Sequence, residues 1–341
     1  MSMEGMAGVT LLQTAPLGVT VIRGGTSRGI FLRADDLPTD AISRDRMLLR
    51  LFGGHSGEVA DGLGGESVPL RKIAVISPDP VVPGRLRYDF AQVNNSITAL
   101  DRSVECGNIA AGVPLFGGLC GWTPPPIAGQ CVEMLFANTG QIVGAEWLET
   151  TRIGGRLRLV FKGIGQSASL PLGEPRSTYR VGNRTVHYSV IAGANTYLLV
   201  PAEDLGVTDP CSVSATDPAV WELLDQVANE AGSRLPAAVT LKVCLIRHDS
   251  ENANAVSARI YYPEERRTHP ALAVTGAVTV ALARYIDGTV VHERSVVAPS
   301  HLTVRHPSGT VTIGYDLGDD GVLEALAVER TCRLIAQGLA Y

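Results

Sequence analysis

The chain has 341 residues, of which 45% are hydrophobic and 18% are charged, and its formal net charge is −5. This length allows two domains with sizeable buried cores. The acidic balance and the lack of a Lys/Arg run argue against nucleic acid or an anionic membrane surface as a partner. No apolar stretch reaches the roughly 18 residues that a membrane span requires.

Cysteine usage and the start of the chain indicate the cellular compartment. Six cysteines lie at positions 106, 120, 131, 211, 244 and 332, without a CxxC pair or a His/Cys spacing typical of zinc. We therefore predict no metal site. The N-terminal stretch lacks a basic start followed by a long apolar segment, which argues against a secretion signal. These features predict a reduced, cytoplasmic protein.

The first predicted elements recur later in the chain. Residues 19–37 (VTVIRGGTSRGIFLRADDL) and 187–205 (HYSVIAGANTYLLVPAEDL) both read as strand, small-residue turn and strand, at a constant offset of 168. At this offset Ser27 matches Asn195. Short apolar patterns with glycine also recur by chance, so a second marker is needed.

That marker lies further along the chain. Cys106-Gly107 lies 169 positions before Thr275-Gly276, and a small-residue apolar run follows each pair. Two markers at nearly one offset indicate an internal duplication into two similar halves.

The remaining elements support a strand-rich α+β fold. β-rich segments alternate with turn residues through most of the chain, and residues 173–185 are the predicted link between the halves. We predict two pseudo-symmetric domains, 1–178 and 179–341, each a curved β-sheet or barrel wrapped around a central helix. The extreme C-terminus is expected to pack back on the first half. Helices are predicted over 43–52, 107–120, 217–231, 275–286 and 323–336.

Cys106 stands at the start of a predicted buried helix. A helix N-terminus offers free N–H groups and partial positive charge, which favour a thiolate and bind carboxylates. In a duplicated fold the helix that begins near Thr275 can point its N-terminus at the same gap. Cys106 is then placed to exchange a proton with a carboxylate substrate. The alternative is a packed core thiol.

Lys72 begins an apolar β run after a glycine-rich turn (GLGGESVPLRKIAVISP). A lysine entering a buried strand is costly, and desolvation lowers its pKa towards neutrality. Lys72 is therefore a candidate general base. The alternative is a side chain that extends to the surface.

The glycine-rich stretch RGGTSRG (23–29) offers backbone amides, hydroxyls and arginines that suit a carboxylate. It is neither a P-loop nor a dinucleotide-binding motif. Asn195 is either a carboxylate ligand or a turn former, and its match to Ser27 favours the first. In the turn RHPSGTV (305–311), His306 is predicted to be a turn residue with a structural hydrogen bond.

Several motifs together resemble the PrpF family of the diaminopimelate-epimerase-like fold. That family includes 2-methylaconitate isomerase, 4-oxalomesaconate tautomerase, and methylitaconate and aconitate isomerases. The resemblance extends in order from about residue 19 to 315. The motifs are RGGTSRGIFL, DGLGG, RKIAV, YDFAQV, ECGN, AGAN, HPALAVTGAV, IDGTVV and HPSGT.

The resemblance implies a site between the two domains that works without a cofactor. Lys72 and Cys106 match the family's proposed acid/base pair. The chain departs from the pattern at Arg28, where lysine is common, and in the lead-in SVPLRK to Lys72. Epimerases of the fold carry a second cysteine where this chain has Thr275. The predicted substrate-binding residues are Gly25, Thr26, Ser27, Arg28, Gly107, Asn108, Asn195, Thr275, Gly276 and Ser308.

The predicted function is a cofactor-independent isomerase or tautomerase of unsaturated di- or tricarboxylic acids. It would act by 1,3-allylic proton transfer on an oxalomesaconate-, methylaconitate- or aconitate-type substrate. Two alternatives stay open: an amino-acid epimerase of the same fold, and a non-catalytic accessory protein for a 2-methylcitrate dehydratase-type enzyme. The expected partner is a small polycarboxylate, with no nucleic acid and no membrane, and a homo-oligomer is allowed.

Overall fold

The computed structural model describes residues 16–341 except 55, 66, 95, 168, 213–216, 238, 263–265 and 293–299. The N-terminal stretch 1–15, for which we predicted no secretion signal, lies outside these residues. Within the described ranges, every helix falls short of the length and apolar character needed to cross a membrane.

The first half is a run of strands with short helices between them. Its strands are β1 (Leu17–Gly24), β2 (Ser27–Arg33), β3 (Lys72–Pro78), β4 (Leu86–Val93), β5 (Leu100–Asp101), β6 (Cys131–Phe136), β7 (Ile142–Thr151) and β8 (Gly154–Lys162). Its helices are α1 (Ala41–Arg50), α2 (Gly107–Ala110), α3 (Val113–Leu119) and α4 (Ile164–Ser167). Three 3-10 turns lie at Ala34–Asp36, Val59–Asp61 and Val68–Leu70.

The second half repeats this order. Its strands are β9 (Ser177–Val181), β10 (Arg184–Ala192), β11 (Thr196–Pro201), β12 (Lys242–His248), β13 (Ala255–Tyr262), β14 (Arg267–Thr268), β15 (His301–His306), β16 (Gly309–Leu317) and β17 (Leu323–Ala340). Its helices are α5 (Pro218–Ser233) and α6 (Val274–Tyr285), with a 3-10 turn at Glu203–Leu205.

The strand pairings of the two halves match one for one. The β1–β2 and β10–β11 pairs are antiparallel, and the next pairs, β2–β3 and β11–β12, are parallel. Antiparallel pairs β3–β4 and β12–β13 follow, and then parallel pairs β4–β6 and β13–β15. This repeated order confirms the pseudo-symmetric α+β fold that the duplication predicted.

The predicted helix over 323–336 is wrong, because this segment belongs to the long strand β17. Its first part pairs with β16 and β8, and its second part pairs with β1, from Gly24 opposite Cys332 to Leu17 opposite Ala340. Leu, Glu and Ala favour a helix in isolation, but backbone hydrogen bonds to strands on both sides override that preference. The last strand of the chain thereby joins the two halves.

Two further predictions need correction. The predicted link over 173–185 contains the β9–β10 hairpin, which turns at Gly182 with a φ of +57°. Residue 178, the predicted end of the first domain, lies within β9, and these domain boundaries stay a prediction. The predicted helix over 107–120 is divided into α2 and α3, because Pro114 has no N–H to donate to the preceding turn.

A single apolar core extends through both halves and contains the helices that carry the site. The central cluster includes α2, α3 and α6, and every residue of α6 from Val274 to Arg284 is buried. A helix that is apolar on all sides belongs at the centre of a fold. The crossover helices α1 and α5 each pack with a separate outer cluster.

Candidate active site

Lys72 lies at the first position of β3 with only 8% of its surface exposed, so its side chain does not extend to the surface. Its ammonium donates to Gln92 Oε1 at 2.8 Å and lies 5.3 Å from the centre of the Phe90 ring. The Gln92 amide is fixed in turn by a 2.6 Å bond to the Arg71 carbonyl. Lys72 is therefore a buried amine held in one orientation by a neutral acceptor.

Cys106 is the N-cap residue of α2 and is 7% exposed. Its side chain does not cap the helix, and the Tyr88 hydroxyl donates to its carbonyl at 3.1 Å. Tyr88 and Phe90 both lie on β4, with their ring centres 6.1 Å apart. One strand thus contacts both Lys72 and Cys106, the two predicted catalytic residues.

The N-termini of α2 and α6 meet at the interface of the halves. A Cβ atom on Gly107 would lie 2.6 Å from Val274 Cγ1, and both are the first residues of their helices. Among the described residues, the backbone amides of Gly107, Asn108, Thr275 and Gly276 donate to no protein acceptor. Unpaired amides at helix starts are typical donors to an anion, which makes this contact a candidate binding site.

The Asn195 amide connects the two halves. Its Oδ1 accepts from the Glu105 amide at 2.9 Å, and its Nδ2 donates to the Glu105 carbonyl at 3.1 Å and to Thr275 Oγ1 at 3.0 Å. The Tyr197 hydroxyl is 3.1 Å from the same Thr275 oxygen. Because both donors of the amide are used inside the protein, the structure favours a positioning role for Asn195 over the predicted direct contact with a carboxylate.

The glycine-rich turn packs on α2. Gly25 has a φ of +51°, and a Cβ there would lie 2.4 Å from Asn108 Oδ1. Asn108 donates to Thr26 Oγ1 at 3.2 Å. Ser27 Oγ and Asn108 Oδ1 are buried and have no hydrogen-bond partner among the described residues, so two polar atoms stay available to a ligand. Arg28 instead donates to the Gly64 carbonyl at 3.4 Å, on the DGLGG loop.

Ser308 lies at the exposed tip of the β15–β16 hairpin. Its hydroxyl donates to the Pro270 carbonyl, and its amide donates to His306 Nδ1 at 3.2 Å. His306 therefore has the predicted structural hydrogen bond. In the part of the chain that the structure describes, no hydrogen bond joins Ser308 to the other predicted site residues.

Sequence analysis missed two residues of this region, Lys242 and His269. Burial lowers the pKa of Lys242 to about 8, and the positive charge of Lys72 adds to that effect. Burial also lowers the pKa of His269 to about 3, again with a contribution from Lys72. His269 Nδ1 accepts from the Ala271 amide at 3.0 Å, so the ring is neutral and carries its proton on Nε2. The duplication could have identified Lys242, which follows Lys72 by 170 positions.

Glu105 is a buried carboxyl beside Cys106. It is 3% exposed, and burial raises its pKa to about 8, although Asn138 and Thr139 donate to Oε1. Its other oxygen, Oε2, accepts no hydrogen bond from the part of the chain that the structure describes. A carboxyl in this setting is mostly neutral at pH 7.

Replacing Glu105 with glutamine should flatten the pH dependence of stability. The folded state holds the Glu105 proton more tightly than the unfolded state does, so wild-type stability is lost as pH rises from 4.5 towards about 8. The expected difference between the two proteins across this window is up to about 5 kcal/mol. Urea unfolding at several pH values measures it. Glu222→Gln, on the exposed face of α5, is the control, and parallel stability curves for Glu105→Gln and wild type would contradict the assignment.

The open grooves of the surface lie elsewhere. One of about 670 Å³ is lined by β8, β16 and β17, and another of about 380 Å³ lies around Arg305 and His306. Neither is lined by a predicted site residue. Among the described residues, no cluster of three or more His, Cys, Asp or Glu side chains is placed to hold a metal. The candidate site is therefore the buried cluster around Lys72, Cys106 and the two helix starts.

Solved structures define the fold class. A methylitaconate-delta-isomerase matches with a TM-score of 0.74 at 23% identity, over 96% of this chain and 95% of that one. A hydroxyproline epimerase from Agrobacterium vitis matches with a TM-score of 0.63 at 12% identity, over 96% and 91%. The fold is diaminopimelate-epimerase-like, as predicted.

Sequence comparison defines the family. The family model described as PrpF protein matches residues 15–151 and 161–341. A 4-oxalomesaconate tautomerase of Pseudomonas putida is 32% identical over 347 residues, which cover 94% of this chain and 94% of the relative. The chain belongs to the PrpF family and is an isomerase. This result confirms the resemblance that the motifs indicated.

Proposed function

We propose that this protein isomerises unsaturated di- or tricarboxylic acids by moving a double bond through 1,3-allylic proton transfer. The observation that carries the proposal is the close approach of the α2 and α6 N-termini, with Cys106 as the N-cap of α2. Strand β4 contacts both Cys106, through Tyr88, and the buried Lys72, through Phe90. This arrangement supports a single site for an anionic substrate and the groups that transfer its proton. The site residues themselves are part of the proposal.

The reaction begins at Lys72. In its neutral form the amine takes a proton from the carbon allylic to the double bond, and the electron pair moves into the conjugated carboxylate or carbonyl. Amides of Gly107, Asn108, Thr275 and Gly276 stabilise the negative charge of this dienolate. One such preorganised donor contributes about 3 kcal/mol to catalysis.

The second half of the reaction returns the proton. Cys106, or Lys72 again, protonates the other end of the allyl system, and the double bond reforms one position away. Rotation within the delocalised intermediate gives a cis–trans outcome. The protein regains its starting protonation state once the proton has re-equilibrated, so no cofactor is consumed.

Two observations support the proposed substrate class: the positive charge and free amides of the site, and the names of proteins related to this chain. Two relatives are named as a 4-oxalomesaconate tautomerase and a methylitaconate-delta-isomerase. We propose an oxalomesaconate-, methylaconitate- or aconitate-type acid for this chain.

The six cysteines of the chain are free thiols, which supports the predicted cytoplasmic location. A homo-oligomer stays a prediction.

The alternatives receive less support. An amino-acid epimerase of this fold needs a second thiol, and Thr275 stands in its place with its hydroxyl bonded to Asn195 and Tyr197. An accessory protein without catalysis would have no need for a buried amine that only a neutral amide, Gln92, orients.

Assays with a panel of acids test the proposal. Purified protein is incubated with aconitate, 2-methylaconitate, itaconate and 4-oxalomesaconate, and proton NMR follows the position of the double bond. Isomerisation of at least one acid is the expected result. A folded protein that isomerises none of them, or that instead exchanges the α-proton of diaminopimelate, would overturn it.

A further inference from the structure

The duplication places a second lysine at the position equivalent to Lys72. In the first half, Gly29 of β2 lies opposite Lys72 of β3 in a parallel pair. In the second half, Tyr197 of β11 lies opposite Lys242 of β12, also in a parallel pair. Gly29 and Tyr197 are 168 positions apart, which is the offset of the repeat. Lys242 is therefore the structural counterpart of Lys72.

The two lysines share one electrostatic environment. The charge of Lys72 acts directly on Lys242, and Cys106, Asp101 and Glu105 act on it in the opposite direction. Both lysines also lower the pKa of His269. The two ammonium groups thus approach the same interior region, one from each half.

Their hydrogen bonding differs. Lys72 lies opposite Gln92 on β4 and donates to its side chain. The pairing of Val243 with Tyr261 puts Tyr262 in the place of Gln92 beside Lys242. Among the described residues, the Lys242 ammonium forms no hydrogen bond and no ion pair, and its contact is the Tyr197 ring, whose centre is 5.9 Å away. The first lysine is oriented by the protein, whereas the second is not.

An unpaired ammonium in this setting is costly unless a ligand neutralises it. Part of the Lys242 side chain is exposed to solvent. Protein nevertheless surrounds the ammonium group so closely that burial has the largest effect on its pKa. Only three of the 29 basic residues of the chain are lysines, and two of the three lie here. The third, Lys162, is exposed and pairs with Glu133.

We propose that Lys242 binds a carboxylate of the substrate that dicarboxylic acids lack, and so makes the enzyme selective for tricarboxylic over dicarboxylic acids. This inference rests on the proposed function. The acid would supply the counter-charge that the protein lacks, while Lys72, already oriented by Gln92, faces the allylic carbon. Lys242 is a substrate-binding residue in this account and carries no proton of the reaction.

Removal of one charge from the ligand and one from the protein tests the proposal. Affinities for propane-1,2,3-tricarboxylate, glutarate and succinate are measured by calorimetry at fixed salt, for the wild type and for Lys242→Met. Lys162→Met is the matched control, and Lys242→Arg tests whether a positive charge is sufficient. Tricarboxylate binding by Lys242→Met should weaken by at least about tenfold, the effect of one lost charge-assisted contact. At least one dicarboxylate should change by less than about threefold.

The outcomes separate this inference from the function. If the wild type binds the tricarboxylate and isomerises an acid, but Lys242→Met binds all three ligands as the wild type does, Lys242 is not a carboxylate ligand. An equal loss for all three ligands also contradicts selective binding. If the wild type neither binds these acids nor isomerises any, the proposed function itself fails. For the natural substrate, we expect Lys242→Met to raise KM more than it lowers kcat. The KM of Lys242→Arg should lie between those of the wild type and Lys242→Met.

Discussion

Replacing Lys72 with methionine lowers kcat for the isomerisation by about 10² to 10⁴, the usual contribution of a positioned general base. The amine is buried, oriented by Gln92, and lies on the strand pair that also contacts Cys106. Methionine fills a similar volume and removes the base. The folded state loses one hydrogen bond and also the cost of a buried amine, so the free energy of unfolding should change little.

Two further variants distinguish a base from a structural cation. Lys72→Arg keeps the positive charge but stays protonated at all relevant pH values, so it should be as inactive as Lys72→Met. Lys162→Met, at an exposed site, should retain wild-type kcat. Recovery of activity in Lys72→Arg would show that the charge, and not proton transfer, is what the reaction requires.

Replacing Asn195 with alanine should lower both the free energy of unfolding and kcat. The change leaves the amide and carbonyl of Glu105 without their partner from the other half, and the Thr275 hydroxyl keeps only its contact with the Tyr197 hydroxyl. Each buried polar group left unsatisfied costs about 1–3 kcal/mol, so we expect a total loss of about 3–5 kcal/mol. These hydrogen bonds fix the positions of the N-termini of α2 and α6, so kcat should fall by at least about 10².

Urea unfolding and steady-state kinetics measure the two effects. Asn252→Ala, in an exposed turn where the amide accepts from Asn254, is a control of the same residue type, and its effect should stay within about 0.5 kcal/mol. Wild-type activity in a folded Asn195→Ala protein would show that the cross-half amide does not position the site.

Local sequence signals predicted much of this fold and part of the site. The sequence predicts the strand–turn–strand pattern and its repeat because each half has small residues at the equivalent turn. The sequence also indicates Lys72 and Cys106 as candidate catalytic residues, because a lysine at the start of an apolar strand and a cysteine at a helix start are unusual placements.

The remaining features depend on contacts between distant parts of the chain. Residues 323–340 have the composition of a helix and become a strand only because β1, β8 and β16 supply partners. The role of Asn195 depends on where Glu105 and Thr275 lie in three dimensions. Lys242 lies in the strand that follows β11, where the offset between the halves changes from 168 to 170 positions, and the strand register shows that it corresponds to Lys72.

Deuterium transfer in D₂O tests the central claim most directly. The wild type is incubated with the acid that it isomerises, and NMR follows deuterium at both ends of the allyl system, with Lys72→Met and Cys106→Ser alongside. We predict deuterium in the wild-type product and none in substrate or product with Lys72→Met. Exchange without isomerisation in Cys106→Ser would assign the returning proton to Cys106, whereas retained isomerisation would assign it to Lys72. Deuterium incorporation by Lys72→Met at the wild-type rate would contradict the account.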